Sequence, residues 1–254
     1  MARYKYGGYA DPRGGGHFSG RLTAPLVLAG AIARQILAAR GVAIGGRIAQ
    51  ISDIADVPMP IENILAVSRK AFPVYGDAAG EQMKQAILAA KAEGDSVGGV
   101  IECAALGLPA GLGDPFFDSL ESVVAAMAFS IPAIKGIEFG DGFSLASMKG
   151  SAVNDPLCMD GGAARLASNH NGGVNGGISN GQPLLFRVAV KPTPTIACEQ
   201  TTVDLAKRET VTVSFGGRHD PCIVPRALPA VEAGLALCLL DLWPNHKNTE
   251  ASAR

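Results

Sequence analysis

Apolar positions recur at helical spacing through TAPLVLAGAIARQILAAR, with Thr23 as cap, Pro25 in the first turn and Gly41 as the stop. GRIAQI, residues 46–51, alternates as a short strand. A second helix, rich in Ala and Gln, is predicted from Asp77 to Glu93 and ends at Gly94. GGVIECAAL, residues 98–106, is mostly apolar and predicts a strand covered on both faces. Asp118 and Glu121 stand at capping-box spacing ahead of the helix LESVVAAMAF, and IKGIEFG, residues 134–140, reads as another strand. From Asn154 to Gly181 the pattern loses its period. It resumes with alternation in LLFRVAV, 184–190, and ETVTVSF, 209–215, two strands expected to be neighbours. A last helix, Ala227 to Asp241, is apolar almost all round and is expected to be buried. This irregular alternation predicts a mixed α+β fold with antiparallel sheets rather than a Rossmann fold. No repeat of fixed period and no linker interrupts the chain, so residues 1–242 are expected to form one domain and 243–254 a disordered tail.

Composition narrows the class. The 254 residues are 48% apolar and 18% charged, a globular profile with no disorder signature. A formal net charge of −1 gives no electrostatic case for binding nucleic acid or a membrane surface. The amino terminus has no apolar signal region, and no uninterrupted apolar run reaches about 18 residues, so no membrane span is expected. Five scattered cysteines without a CxxC pair read as reduced thiols of an intracellular protein, and no Cys or His pair stands at metal-ligand spacing, so no metal is expected. A soluble, cytoplasmic protein is the expectation.

The 32 glycines exceed the usual share of about 7% and gather in clusters. RGGGHFSGR, residues 13–21, sets two arginines, a histidine and a serine around four glycines; such a run reads either as an ordinary surface loop or as backbone shaped to approach an anion. NGGVNGGISNG, followed by KPTPT at 191–195, is a second cluster, and GRHDP at 217–221 a third. Neither glycine loop fits GxGxxG after a strand or carries the GK[ST] of a P-loop, so those nucleotide-phosphate motifs are excluded.

Taken in order and with their separations, RGGG-x-x-S-x-R, GGISNG, KPTPT and GRHDP resemble chorismate synthases, as do YKYGG from Tyr4, EGDSVGG (93–99), LPAGLGDP (108–115) and IKGIEFGDGF (134–143). The resemblance runs from Tyr4 to the last helix. It implies helices layered between antiparallel sheets, a β-α-β sandwich, in a homotetramer. It implies a flavoprotein lyase of the shikimate pathway of aromatic amino-acid biosynthesis. Such an enzyme eliminates phosphate 1,4 from 5-enolpyruvylshikimate 3-phosphate to give chorismate. It uses reduced FMN, with NADPH or another reductant as electron source. Residue by residue, the resemblance assigns Arg21, Arg218, Ser19 and Asp220 to the catalytic site. His17, Phe18, Ser19, Pro132, Ala133, Gly176, Lys191, Pro192, Thr193, Pro194, Thr195 and Arg218 are assigned to FMN. Guanidinium forks suit a substrate bearing a phosphate and two carboxylates, and the Asp220 carboxylate suits proton handling near the flavin.

The chain departs from the family pattern at His17, where Arg is common, and at Leu22, where Glu is common. The family's GESHG-like and RPGHAD segments, with their proton-handling histidines and further arginines, have no counterpart before Tyr4. The domain is therefore expected to be amino-terminally truncated and the chain alone inactive or in need of a missing segment. The readings are a truncated or mis-started enzyme, the larger half of a split enzyme, or a non-catalytic flavin-binding or assembly subunit.

Overall fold

The computed structural model describes residues 2–10, 15–217 and 219–250. A short helix α1 (Ala2–Tyr6) leads through single 3-10 turns to α2 (Thr23–Ala38). There follow β1 (Ala43–Ile51), β2 (Ile54–Ala55), α3 (Ile64–Val67), α4 (Asp77–Ala92), β3 (Gly99–Leu106), α5 (Leu120–Ser130) and β4 (Ile134–Phe139). The stretch without a period holds α6 (Gly150–Val153) and two small hairpins, β5 (Leu157–Asp160) with β6 (Ala163–Leu166) and β7 (Val174–Asn175) with β8 (Ile178–Ser179). The chain ends with β9 (Leu184–Val190), the hairpin β10 (Gln200–Asp204) and β11 (Glu209–Val213), and α7 (Val224–Glu250).

The main sheet runs β2-β1-β3-β9-β4 with every pairing antiparallel, as expected for a mixed α+β domain. Four expectations are corrected. The 209–215 strand is not a neighbour of β9; it folds back on β10 across a tight turn, because a local partner is cheaper in chain entropy than a distant one. The helix at 120 is capped one residue later than predicted, by Ser119, whose Oγ accepts from Ser122 N at 3.0 Å. Thr23 is not a cap but the first residue of α2, and its hydroxyl donates to Gly20 O at 2.7 Å. Helix α7 begins before Ala227 and runs past the expected end at Asp241, where Leu242 and Trp243 are still buried.

Two of the sheet's faces are built differently. On one, Leu184, Phe186, Val188 and Val190 alternate inward from β9 and meet α5 and α7. On the other stand Arg47, Glu102, Arg187 and Glu138, directly opposite one another on β1, β3, β9 and β4. Arg47 donates to Glu102 at 2.6 Å and to Asp56 at 2.7 Å, and Arg187 lies 2.9 Å from Glu138. Asp56 has a side chain with 0% exposure and also accepts from the amides of Val57, Tyr75 and Gly76, which ties β2 to the start of α4.

Helices α2 and α7 run parallel. Gly30 lies against Ala233, where a Cβ would collide, and Arg40 sits 5.0 Å over the Trp243 ring, ten residues further along each helix. Gly30, Ala33 and Leu37 face this contact, while Leu28, Ile32 and Ile36 are exposed on the outer side. The stretch Gly20–Ala38, 19 residues with mean hydropathy 1.2, is long and apolar enough to cross a membrane by composition alone. Arg21 and Arg34 interrupt it, so it is not an unbroken apolar run.

The second glycine cluster is held by one carboxylate. Asp155 accepts from Ser168 Oγ (2.7 Å), His170 N (2.8 Å), Asn171 N (3.2 Å) and Asn171 Nδ2 (2.8 Å). Burial opposes its ionisation, but these donors outweigh it and hold its pKa at about 2 instead of 3.8. His170 Nδ1 lies 2.6 Å from Asp141 Oδ2, and this hydrogen bond raises the imidazole pKa.

Two predictions follow from these polar networks. Asp56→Ala, which leaves Arg47 only its Glu102 partner and unpairs the amides of Tyr75 and Gly76, should cost about 3 kcal/mol, whereas Arg187→Gln at the wetter end should cost under about 1 kcal/mol. Urea midpoints decide this, and equal losses would show that burial does not grade the row. For Asp155, the depressed pKa means stability is present above the ordinary carboxylate range and is lost as pH falls towards 2. Wild type should exceed Asp155→Asn by about 2 kcal/mol near neutrality. That gap should shrink between about pH 4 and pH 2; a gap independent of pH would remove the charge from the explanation.

Candidate functional site

The RGGGHFSGR segment, where described, is a pair of one-turn 3-10 helices, Gly16–Phe18 and Gly20–Leu22, with Ser19 between them. Ser19 Oγ accepts from Arg21 N at 3.2 Å, which fixes the Arg21 backbone at the entrance to α2. The Arg21 side chain is exposed and has no ion-pair partner among the described residues. His17 packs on Tyr6 with centroids 5.7 Å apart and edge-on to Phe18 at 6.0 Å, leaving Phe18 exposed.

A second group forms where β9 ends. Ala133 O accepts from Lys191 N at 3.0 Å, just beyond the end of α5. Ala133 holds φ +76, an uncommon conformation for a residue with a Cβ. Thr193 Oγ1 donates to Asp220 O at 2.8 Å, and Ser96 Oγ donates to Thr193 O at 2.8 Å, so KPTPT is laced to the HDP turn and to the residues before β3. Lys191, Pro192, Pro194 and Thr195 are exposed, and Lys191 has no ion-pair partner among the described residues.

Asp220 sits directly before α7. Its Oδ1 accepts weakly from Cys222 N at 3.4 Å. Its Oδ2 is 2.7 Å from Arg226 Nη1, yet the atoms are not aligned for a hydrogen bond, so this is a charge contact and Oδ2 keeps its lone pairs. Neither Ser96 nor Arg226 was singled out as a site residue by the sequence; both act through positions visible only after folding. Arg218 lies outside the described residues.

The parallel course of α2 and α7 brings these groups to one end of the molecule. Counting back nine residues from the Gly30–Ala233 contact reaches Arg21 on one helix and Val224, four residues after Asp220, on the other. The same end of the sheet holds Val190 and Lys191. No hydrogen bond joins the 17–21 segment to the Lys191–Asp220 group among the described residues.

Gly176 stands apart. With Gly177 it makes the two-residue turn of the β7–β8 hairpin, both with positive φ (+61 and +86), as a type I′ turn requires. Gly177 O accepts from Leu120 N at the start of α5, whereas Pro132 and Ala133 follow its end, about 16 Å along the helix. Within one chain the structure therefore gathers Ala133, Lys191, Thr193 and Asp220, places Ser19 and Arg21 at the same end, and sets Gly176 elsewhere.

The comparisons with known proteins agree with the motifs. The family model described as chorismate synthase matches residues 1–243. A chorismate synthase of Dehalococcoides mccartyi is 47% identical over 239 residues, 94% of this chain and 66% of the relative. One from Pyrococcus abyssi is 46% identical, covering 94% and 67%, and one from Chitinophaga pinensis 47%, covering 95% and 64%. A crystal structure of chorismate synthase superposes with a TM-score of 0.73 at 32% identity, over 88% of this chain and 63% of that one. The chain thus spans about two thirds of the length of the curated relatives it matches, and it belongs to the chorismate synthase family.

Proposed function

We propose that this protein works in the 1,4-elimination of phosphate from 5-enolpyruvylshikimate 3-phosphate to give chorismate, with reduced FMN, in the cytoplasm and as a homotetramer. The observation that carries the reading is the grouping of Arg21, Lys191 and Asp220 at one end of the fold. There two helix N-termini come together with Arg21 and Lys191, cations without an ion-pair partner among the described residues, and with Asp220. Backbone amides at helix N-termini and exposed guanidinium and ammonium groups suit phosphates and carboxylates.

The residues present fit an anionic flavin. Lys191 and the following KPTPT backbone, Ala133 with Pro132, and His17 with exposed Phe18 would hold it, and Arg218 joins them by family resemblance. When bound, reduced FMN supplies electron density that assists C–O cleavage. Arg21, steadied by Ser19, binds an acid group of the substrate and steadies the departing phosphate. Asp220 Oδ2, the carboxylate oxygen without a directed hydrogen bond, is the atom that accepts and returns a proton during the reaction. The left-handed Ala133 is consistent with a site that keeps local strain for the sake of position. Gly176 is proposed as a flavin contact only if a second subunit brings its turn to this end.

Chorismate release from the substrate with reduced FMN under anaerobic conditions, measured with the amino-terminal segment of a related enzyme supplied in trans, tests the proposal. Arg21→Lys should lower kcat/KM about a hundredfold, since a point charge does not replace a fork. Unchanged turnover would take Arg21 out of the site. Lys191→Gln should weaken reduced FMN about tenfold and leave the unfolding midpoint in place. Saturable flavin binding without any elimination would retain the cofactor half of the proposal and remove the reaction.

A further inference from the structure

We propose that a cavity of about 270 Å³ beside the carboxyl end of α2 binds a small amphoteric molecule: a carboxylate and an ammonium on a short aliphatic chain, as in an α-amino acid. The cavity is lined by Arg34, Arg69, Glu232 and Ser68, with Leu65 and Val42 among its apolar walls. Its size lies between the roughly 150 Å³ that accepts benzene and the 300–1,000 Å³ of drug-sized pockets, which suits fewer than about ten heavy atoms.

The charges are unevenly matched. Arg34 donates to Glu232 Oε2 at 2.7 Å and to Ile44 O at 2.8 Å, so this guanidinium is engaged. Arg69 is exposed and has no ion-pair partner among the described residues. The Glu232 side chain is only 8% exposed, and its Oε1 is buried without a hydrogen-bond partner. The Gly46 amide approaches that carboxylate without reaching hydrogen-bond geometry. A buried acceptor left over in this way is unfavourable until a donor is supplied. An anion alone would leave Glu232 unsatisfied and repelled, and a cation alone would leave Arg69 unused. An ammonium on Glu232 with a carboxylate on Arg69 answers both, and the aliphatic part rests on Leu65 and Val42.

This cavity is remote from the candidate elimination site. Ile44 pairs with Ala105, while Val190 before Lys191 pairs with Gly99, six residues or about 20 Å away along β3. Arg34 follows Arg21 by 13 residues, again about 20 Å along the helix. The two proposals therefore stand or fall separately.

Calorimetric titration with L-leucine is the test, against 4-methylpentanoate and 3-methylbutylamine, each of which lacks one charge. L-leucine should bind saturably, one per chain, and each analogue at least tenfold more weakly. Arg69→Gln should weaken L-leucine at least tenfold with no change in unfolding midpoint, because Arg69 makes no structural pair. Glu232→Gln should remove the preference for the amine; if that variant does not fold, Arg69→Gln and the analogues decide alone. No saturable heat up to about 10 mM, weak even for a ligand of this size, would overturn the proposal. So would equal binding by wild type and Arg69→Gln.

Discussion

A row of four opposite charges, Arg47, Glu102, Arg187 and Glu138, crosses four neighbouring strands on one face of the main sheet. Side chains alternate faces along a strand, so slipping any one strand by a residue would carry its charge into the apolar layer against α5 and α7. The cost of an unpaired charge there far exceeds that of a misplaced apolar contact, so the row fixes register more firmly than the hydrophobic pattern alone. Asp56 closes its buried end and anchors β2 and the start of α4 to the same point. Register in turn aligns Ile134 with Val190, which sets Ala133 O against Lys191 N. The charge row and, beyond the bulge at Ile134–Gly136, the Ile134–Val190 pair together set where the candidate site's backbone lies.

The second constraint is the close contact of α2 with α7. Gly30 lets the two helix backbones approach at Ala233, and the parallel sense of the pair follows from the later contact of Arg40 with Trp243. Parallel neighbouring helices are unfavourable as dipoles. Here the apolar stripe Ala33–Leu37 and the Arg34–Glu232 pair offset that cost. What is gained is two N-termini side by side.

Much of this was legible in the sequence, and the failures have physical causes. LLFRVAV declared its strand fully, because each inward position is apolar and each outward one tolerates water. The helix at Asp77 and its glycine stop were legible for the same local reason. The β10–β11 hairpin was half missed because QTTVD is polar on both faces and pairs only with its neighbour. Gly176 is assigned to FMN by family resemblance, and the β7–β8 turn by itself requires glycine there. Family motifs name the candidate residues as a set, but which of them share one end depends on helix direction, which no motif encodes. The ion pair of Asp220 with Arg226 and the Ser96–Thr193 bond arise from such tertiary placement.

Arg21 is the residue that stability explains least. A cation in the first turn of a helix opposes the macrodipole, at a cost of about 0.3–1 kcal/mol. Arg226, similarly placed on α7, is offset by Asp220 at 2.7 Å, but Arg21 has no such partner among the described residues. Ser19 fixes its backbone and not its charge. At the other end of the same helix, Arg34 is matched by Glu232 and by a carbonyl, as the dipole favours. A chain selected only for folding would place its cations the second way. A local arrangement that works against stability, on a segment held in place by two side-chain hydrogen bonds, makes sense where an anion completes it.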